Sequence, residues 1–398
     1  MKKFLLATAL TGLGAMTAQA ASHSEMVKVG IILGFTGPLE TLAPAMADSG
    51  EMALAEVNEA GGILDGMMAE AVRGDGTCAD AAAATAAAER LVTSDGVSAI
   101  LGAMCSGATG AVLTNVSLPN GILQISPSAT SPGLSSIEDN GLFFRMAPSD
   151  ARQGEVMAEI IMERGIDEVA VTYTNNDYGS GLASSFQQAF EAAGGSVTLS
   201  ASHEDGKADY SAEVGSLASA GGDALVVIGY VDQGGSGVIQ AALDTGAFET
   251  FVLPDGMIGT ALENNFGSDI DGSFGQNPSV ENERGDEFLA MAEAAGFDGT
   301  SVYAKEAYDS MALILLSMAA AGSTNGADAA AKVMELANAP GEKVYAGELA
   351  KAIELIAAGT DIDYVGASSV ELIEPGEASG GYAEMEMKNG KLEAIGYR

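Results

Sequence analysis

The stretch at residues 97–135 constrains the fold of this chain more than any other. Two apolar runs, 97–101 and 121–125, are typical of buried strands, and the segment from Ser106 to Leu118 between them is typical of a helix. A strand, a helix and a second strand in this order predict a parallel α/β sheet. Ser106, Ser128 and Thr130 follow the carboxyl ends of the two strands, which is where ligands bind in such sheets.

The position of these hydroxyl residues has two interpretations. A serine directly after a strand often caps the helix that follows, because its hydroxyl accepts a hydrogen bond from a free backbone N–H. Ser106 falls where such an N-cap is expected. The same exposed N–H groups and hydroxyls can bind an anion instead, so position alone does not decide between a cap and a binding site.

The strand and helix alternation continues on both sides of this stretch. Before it, we expect strands at 27–33 and 67–73 and helices at 41–60 and 80–94. The alternation begins again after Pro148, which predicts a second α/β unit. Its expected strands are 168–173, 196–200, 224–229 and 251–253, and its expected helices are 153–164, 179–193, 210–220 and one through Ile239.

The last third of the chain is predicted to return to the first sheet. Long helices are expected at 286–295 and 302–321, and both have faces suited to packing on a sheet. The apolar run from Met311 to Ala321 is too short to cross a bilayer and is predicted to be buried. Asn389-Gly390 between two apolar runs predicts a closing β-hairpin.

The first twenty residues are typical of an export signal. Lys2 and Lys3 precede an apolar run, and Ala18-Gln19-Ala20 has the small-x-small pattern of a cleavage site. We therefore expect residues 1–20 to be a signal peptide and the mature protein to be exported.

Composition excludes several classes of function. A chain of 398 residues with 47% apolar residues suits two folded domains, and a net charge of −38 repels nucleic acid and anionic membrane surfaces. His23 and His203 are the two histidines, and neither belongs to a catalytic motif, so an enzyme is not expected. Asp269-x-Asp271 resembles part of a calcium loop, but Val280 stands where that loop needs a glutamate, so neither a metal site nor a cofactor is expected.

Cys78 and Cys105 are the two cysteines of the chain. An even number of cysteines in an exported protein suggests a disulfide, although two buried thiols are the alternative.

Particular segments resemble a known family. LGAMCSGAT at 101–109 and GILQISPSATSP at 121–132, with FTGP at 35–38 and NEAGGI at 58–63, are similar to the leucine/isoleucine/valine-binding type of ABC-transporter solute-binding proteins. The resemblance spans nearly the whole mature chain and favours a Cys78–Cys105 disulfide. It implies an α/β, type I periplasmic-binding-protein fold with two doubly wound lobes and a three-segment hinge, the lobes being 21–146 with 277–379 and 147–276 with 380–398.

The resemblance also implies a binding site for an amino acid. Ser106 and the amide of Thr130 would hold its carboxylate, while the Ser128 carbonyl and the Thr130 hydroxyl would accept its ammonium group. The expected ligand-binding residues are Ser106, Ser128, Ala129, Thr130, Tyr178, Tyr230 and Asp255, the last three coming from the second lobe. Taken singly, the two tyrosines could be packing residues and Asp255-Gly256 an ordinary turn.

The chain departs from the family pattern at three positions. Asp255 replaces the usual glutamate, Leu42 replaces a frequent tyrosine and Ser128 replaces an alanine. The solute is therefore expected to be an amino acid or a related small molecule, with a small amide or a non-amino carboxylate as the alternative. The implied protein is a periplasmic carrier that partners transporter permease subunits, and a ligand-sensing role on the same fold is the second alternative.

Overall fold

The structure is a computed structural model and describes residues 26–398, so the predicted signal peptide lies outside the described residues. The strands in chain order are β1 Val27–Leu33, β2 Ala69–Asp75, β3 Ala99–Gly102, β4 Leu123–Ser126, β5 Phe143–Arg145, β6 Glu168–Thr174, β7 Ser196–His203, β8 Ala224–Ile228, β9 Phe251–Leu253, β10 Phe274–Pro278, β11 Glu342–Tyr345, β12 Ile362–Gly366, β13 Leu372–Ile373, β14 Glu377–Ala378, β15 Tyr382–Lys388 and β16 Lys391–Tyr397.

Helices separate most of these strands. In chain order they are α1 Ala43–Glu59, α2 Ala81–Arg90, α3 Ser106–Val112, α4 Leu118–Asn120, α5 Asp150–Glu163, α6 Asp177–Ala192, α7 Ser211–Ala220, α8 Gly234–Thr245, α9 Thr260–Phe266, α10 Gly285–Ala295, α11 Ala304–Ala321, α12 Gly326–Leu336 and α13 Leu349–Ala357. A π-helical turn, Leu113–Ser117, joins α3 to α4 without a break.

Two seven-stranded sheets form the framework of the protein. The first has the order β13-β14-β5-β4-β3-β1-β2, and the second has the order β16-β15-β10-β9-β8-β6-β7. Each contains five consecutive parallel strands ordered 2-1-3-4-5, which is the doubly wound arrangement that the strand and helix alternation predicts. The fold class expected from the sequence is therefore confirmed.

The chain passes between the two sheets three times. It leaves the first sheet after β5, returns to it after β10, and leaves it again after β14 to complete the second sheet with the hairpin β15–β16. Helix α11 packs between α1, α12 and the first sheet, and its segment from Met311 to Met318 is buried, as predicted. The exact limits of the two lobes remain a prediction.

The two strands predicted within residues 97–135 begin two residues later and end one residue later in the structure. β3 ends at Gly102 and β4 ends at Ser126, because the pairing of Val29 with Ala99 and of Ala99 with Leu123 sets the register. The shift leaves the polar residues at the carboxyl ends of both strands, as the sequence indicates. Among the described residues, no helix combines the length and the apolar composition that are needed to span a bilayer.

Candidate functional site

One cavity lies between the carboxyl ends of the two sheets and brings together six of the seven residues predicted for the site. The space beside its lining atoms, part of which is open to solvent, is about 340 Å³. The predicted residues that line it are Ser106, Ser128, Thr130, Tyr178, Tyr230 and Asp255. Leu42, one of the positions that depart from the family pattern, also lines it, whereas the sequence analysis did not place Leu39, Met104, Cys105, Gly256 or Tyr303 in the lining.

Two hydrogen-bond donors from the first sheet face this cavity. Cys105 has an extended backbone and is the N-cap of α3, so Ser106 is the first helical residue and not the N-cap that the sequence predicts. The Ser106 hydroxyl accepts a hydrogen bond from the Ser131 N–H at 3.1 Å, which leaves its own proton available to donate. The Thr130 N–H donates to no other residue that the structure describes.

Ser128 and Ala129 have different surroundings. The Ser128 hydroxyl donates to the Met104 carbonyl at 2.7 Å. The Ser128 carbonyl accepts from no donor among residues 26–398, so it can accept a hydrogen bond from a ligand. Ala129 does not line the cavity. Its N–H donates to the Ser126 hydroxyl at 3.0 Å, and its carbonyl accepts from Arg145 at 3.1 Å.

Asp255 supplies a buried acid from the second sheet. It follows β9 and is 3% exposed. Its Oδ1 accepts from Tyr178 Oη and from Gln153 Nε2, both at 2.9 Å, while Oδ2 accepts from Tyr303 Oη at 2.6 Å. A carboxylate has about four lone-pair sites, so these bonds leave room for one further donor.

The tyrosines of the cavity act as neutral donors and as apolar walls. Burial, together with the nearby charge of Asp255, raises the pKa of Tyr178 and of Tyr303 well above the ordinary range, so both stay protonated. Tyr178 and Tyr230 stack with their ring centroids 5.4 Å apart. A Cβ at Gly256 would lie 2.9 Å from the Tyr178 hydroxyl and 2.5 Å from the Gly229 carbonyl oxygen, so glycine beside Asp255 permits this close approach.

A second acid, Asp150, lies behind the cavity and was not predicted. It is the first residue of α5 and is fully buried, and neither of its carboxylate oxygens has a hydrogen-bond partner among the described residues. Burial first, and then the charge of Asp255, raise the pKa of Asp150 well above its ordinary value. Its sequence context, Ser149-Asp150 at the start of a helix, is typical of a cap, which is why the sequence gives no signal of a buried acid.

Contacts between the two sheets' loops close the cleft beside the cavity. The Thr41 hydroxyl and N–H donate to the Asp232 carboxylate at 2.9 Å, and the Asp232 N–H donates to the Pro38 carbonyl at 3.2 Å. Tyr303 also crosses the cleft, because it precedes α11 on the first sheet and bonds to Asp255 on the second.

A disulfide joins the loops after β2 and β3. Cys78 and Cys105 are bonded, with their Cα atoms 5.1 Å apart, and the predicted disulfide is therefore confirmed. Because Cys105 lines the cavity and precedes Ser106, the bond fixes the start of the helix that presents the Ser106 hydroxyl.

The acids of the site are not arranged as a metal centre. Within residues 26–398, no group of three or more His, Cys, Asp or Glu side chains could hold a metal ion. In the Asp269–Asp271 turn, the Asp271 carboxylate accepts a hydrogen bond from the Gly390 N–H at 2.9 Å, which holds the turn against the last hairpin.

Known proteins resemble this chain in sequence. It is 26% identical over 325 residues to the leucine-, isoleucine-, valine-, threonine- and alanine-binding protein of Pseudomonas aeruginosa, a match covering 81% of this chain and 84% of the relative. It is 29% identical over 329 residues to Leu/Ile/Val-binding protein homolog 1 of Brucella melitensis, which covers 81% of this chain and 86% of the relative.

Solved structures resemble it in fold. A leucine-binding protein of Thermotoga maritima has a TM-score of 0.78 at 22% identity and covers 94% of this chain and 98% of its own. A solute-binding protein from R. palustris in complex with 4-hydroxybenzoate has a TM-score of 0.76 at 19% identity, with 94% and 97% covered. A family model described as periplasmic binding protein matches residues 26–347, and the chain therefore belongs to that family.

Proposed function

We propose that this protein is the periplasmic solute-binding component of an ABC transporter and that it captures an amino acid between two lobes. Membership of the periplasmic binding protein family supports the role of a binding protein that is not an enzyme. The names of the relatives in Pseudomonas aeruginosa and Brucella melitensis, which refer to aliphatic amino acids, support the choice of solute class.

The observation that carries the proposal is the opposite polarity of the two walls of one buried cavity. Ser106 and Thr130 present donors suited to a carboxylate. Asp255 presents an acid suited to an ammonium group, and the Ser128 carbonyl and the Thr130 hydroxyl are further acceptors. A zwitterion removed from water needs hydrogen-bond donors for its carboxylate and acceptors for its ammonium group, and this cavity offers both.

The same arrangement favours an amino acid over a simple aromatic acid. A bound benzoate would place no cation near Asp255, whose buried negative charge would then be compensated by neutral hydrogen-bond donors alone. Leu39, Leu42 and Met104 give the cavity an apolar part that suits an aliphatic side chain. A small amide or a non-amino carboxylate is the alternative solute, since Asp255, Leu42 and Ser128 depart from the usual pattern.

Binding is proposed to close the two lobes on the solute. The carboxylate donors follow strands of the first sheet and the acid follows a strand of the second, so only a closed cleft brings both to one molecule. The solute therefore binds the closed form better and shifts the population towards it. The closed complex would then deliver the solute to the membrane permease.

A thermal-shift screen of the mature protein tests this function. Leucine, isoleucine, valine, threonine, alanine, asparagine and benzoate form the panel, and a solute at 100 times its Kd stabilises the protein by about 2.7 kcal/mol. We expect an aliphatic amino acid to give the largest shift and Asp255→Asn to abolish it. Glu306→Gln, which changes a buried acid outside the cavity, should retain the shift.

Small-angle scattering supplies a second measurement. Saturation with the amino acid should compact the wild type, and Asp255→Asn should show a smaller compaction at the same concentration. A shift with benzoate alone, or an Asp255→Asn variant that binds and compacts like the wild type, would contradict the amino-acid assignment.

A further inference from the structure

Asp150 is a buried acid with no role in the site as described so far. Its backbone N–H donates to the Thr130 carbonyl at 2.8 Å, which ties the start of α5 to the loop that faces the solute. The Asp150 side chain has no exposed surface, and both of its oxygens lack a hydrogen-bond partner among residues 26–398. Burial without a hydrogen-bond donor makes the ionised form of a carboxyl group costly in free energy, so the neutral form is favoured.

The groups that face Asp150 give little compensation for a negative charge. Asp255 adds a like charge from the loop after β9, and Tyr178, Tyr230, Tyr303 and Tyr382 face it as neutral phenols.

Arg145, from β5, is the one cation acting on Asp150 in the described part of the chain, and its guanidinium group already bonds to other residues. Its Nη2 bonds to Glu377 at 2.5 Å, and its Nη1 bonds to the carbonyls of Ala129 and Ser131. Burial and the charge of Asp255 together outweigh Arg145 and raise the pKa of Asp150.

Asp150 adjoins two of the three acceptors proposed for the ammonium group, the Thr130 hydroxyl and Asp255. The Thr130 hydroxyl is close enough to lower the pKa of Asp150, although neither carboxylate oxygen has a hydrogen bond of good geometry. One turn along the same face of α5, Gln153 donates to Asp255 Oδ1 at 2.9 Å. A single helix end therefore contacts Thr130 from one residue and Asp255 from another.

We propose that Asp150 is a positioning residue that orients the Thr130 hydroxyl towards the ammonium group of the bound amino acid, and that binding releases one proton from Asp150. The inference rests on the proposed function. Before binding, Asp150 is a neutral carboxylic acid. When the ammonium group arrives, its positive charge stabilises the carboxylate, and the proton passes to solvent.

The ionised carboxylate then accepts the Thr130 O–H. This leaves the lone pairs of the Thr130 hydroxyl oxygen free for an N–H of the ammonium group. The protein thus loses one proton to solvent and the amino acid keeps all of its own, while the ammonium group offsets one of the two negative charges of Asp150 and Asp255. Because the amino acid prefers the ionised form of Asp150, its affinity should fall as the pH falls.

Calorimetric titration of the mature protein with leucine, or with the most stabilising amino acid of the panel, tests the proposal. Titrations between about pH 5 and pH 8 in two buffers of different ionisation enthalpy count the protons released, while free amino acids remain zwitterions throughout. We expect the wild type to release up to one proton and its Kd to rise towards about tenfold for each pH unit of acidification.

Two variants separate Asp150 from other groups. Asp150→Asn has the same shape but does not titrate, so it should bind more weakly at pH 8 with a nearly flat pH profile. Glu306→Gln removes another buried acid, which lines a separate pocket among residues of the three crossovers, and this variant should keep the wild-type slope.

The outcomes distinguish this proposal from the proposed function. Binding of an amino acid by the wild type without proton release overturns the role of Asp150 alone, as does an Asp150→Asn variant that retains the pH slope. If Asp150→Asn does not fold, the proton count of the wild type still decides. Failure of the wild type to bind any amino acid overturns the proposed function and this inference with it.

Discussion

Removing the Tyr303 hydroxyl should weaken solute binding, because it breaks a hydrogen bond that crosses the cleft. Tyr303 is 6% exposed and precedes α11 on the first sheet, and its hydroxyl donates to Asp255 Oδ2 at 2.6 Å. It is the one donor to Oδ2 among the described residues, whereas Oδ1 has two. Tyr303→Phe removes this oxygen and leaves the ring in place.

The size of the effect follows from the charge on the acceptor. A hydrogen bond to a charged group contributes about 1.5–3 kcal/mol, and about 1.4 kcal/mol corresponds to a tenfold change in Kd. In Tyr303→Phe, the solute's ammonium group can donate a hydrogen bond to the Asp255 oxygen that Tyr303 no longer occupies. The loss of binding free energy should therefore lie near the lower limit of this range. We therefore expect Tyr303→Phe to raise Kd by about 10- to 30-fold.

Calorimetric titration of wild type and variant with the same amino acid measures this change. Tyr308→Phe is the matched control, because Tyr308 also donates its hydroxyl to a carboxylate, that of Glu56, but lies in α11 away from the cavity. It should lower thermal stability and leave Kd unchanged. Equal Kd values for Tyr303→Phe and wild type would refute a role of Tyr303 in stabilising the closed form.

Three further predictions concern other parts of the structure. Thr130→Val should cost about 1.5–3 kcal/mol of binding free energy and more than Ser106→Ala, since it removes a proposed ammonium acceptor; unchanged affinity in a folded Thr130→Val would argue against it. Cys78 and Cys105, 27 residues apart, should resist alkylation until reduced, and replacing both with alanine should lower the free energy of unfolding by about 3.5 kcal/mol in chemical denaturation. Burial raises the pKa of Glu306 to about 7, so the native state prefers the protonated form and loses stability as the pH rises from about 4.5 to 7. Glu306→Gln should remove this loss, about 3 kcal/mol in denaturation at pH 8, and a variant with the wild-type pH profile would contradict it.

The sequence predicts the parallel core of both sheets well because local patterns decide it. β1 and β9 have the predicted bounds, since continuous apolar runs such as Val27–Leu33 suit only a strand buried on both faces. β10 was missed for the opposite reason. Its sequence FGQNP has low strand propensity, and it is a strand because β9 and β15 pair with its two sides.

Some residues of the candidate site could likewise be predicted from local sequence patterns, and others could not. Residues at the ends of predicted strands of one sheet, such as Ser106 and Thr130, could be expected to meet, because parallel strands bring their carboxyl ends to one edge. Asp255 follows a strand of the other sheet, and only the resemblance to a family placed it in the same site. Tyr303 could not be predicted, since it reaches the cleft only through the crossover that follows β10, and Asp150 could not, since its position at the start of α5 is typical of a helix cap. The faces of the last long helices predicted a return to the first sheet, but only the resemblance to a family indicated three crossovers.

The last crossover also bears on how the protein is made. β15 and β16 come from the final seventeen residues, and β15 inserts between β10 and β16, where Pro278 pairs with Tyr382. During synthesis, which proceeds from the amino terminus, the second sheet therefore keeps an open edge at β10 until the end of the chain emerges. An open strand edge is a template for pairing with other chains, so a product ending before residue 382 would be prone to aggregate even though every residue that lines the solute cavity is present.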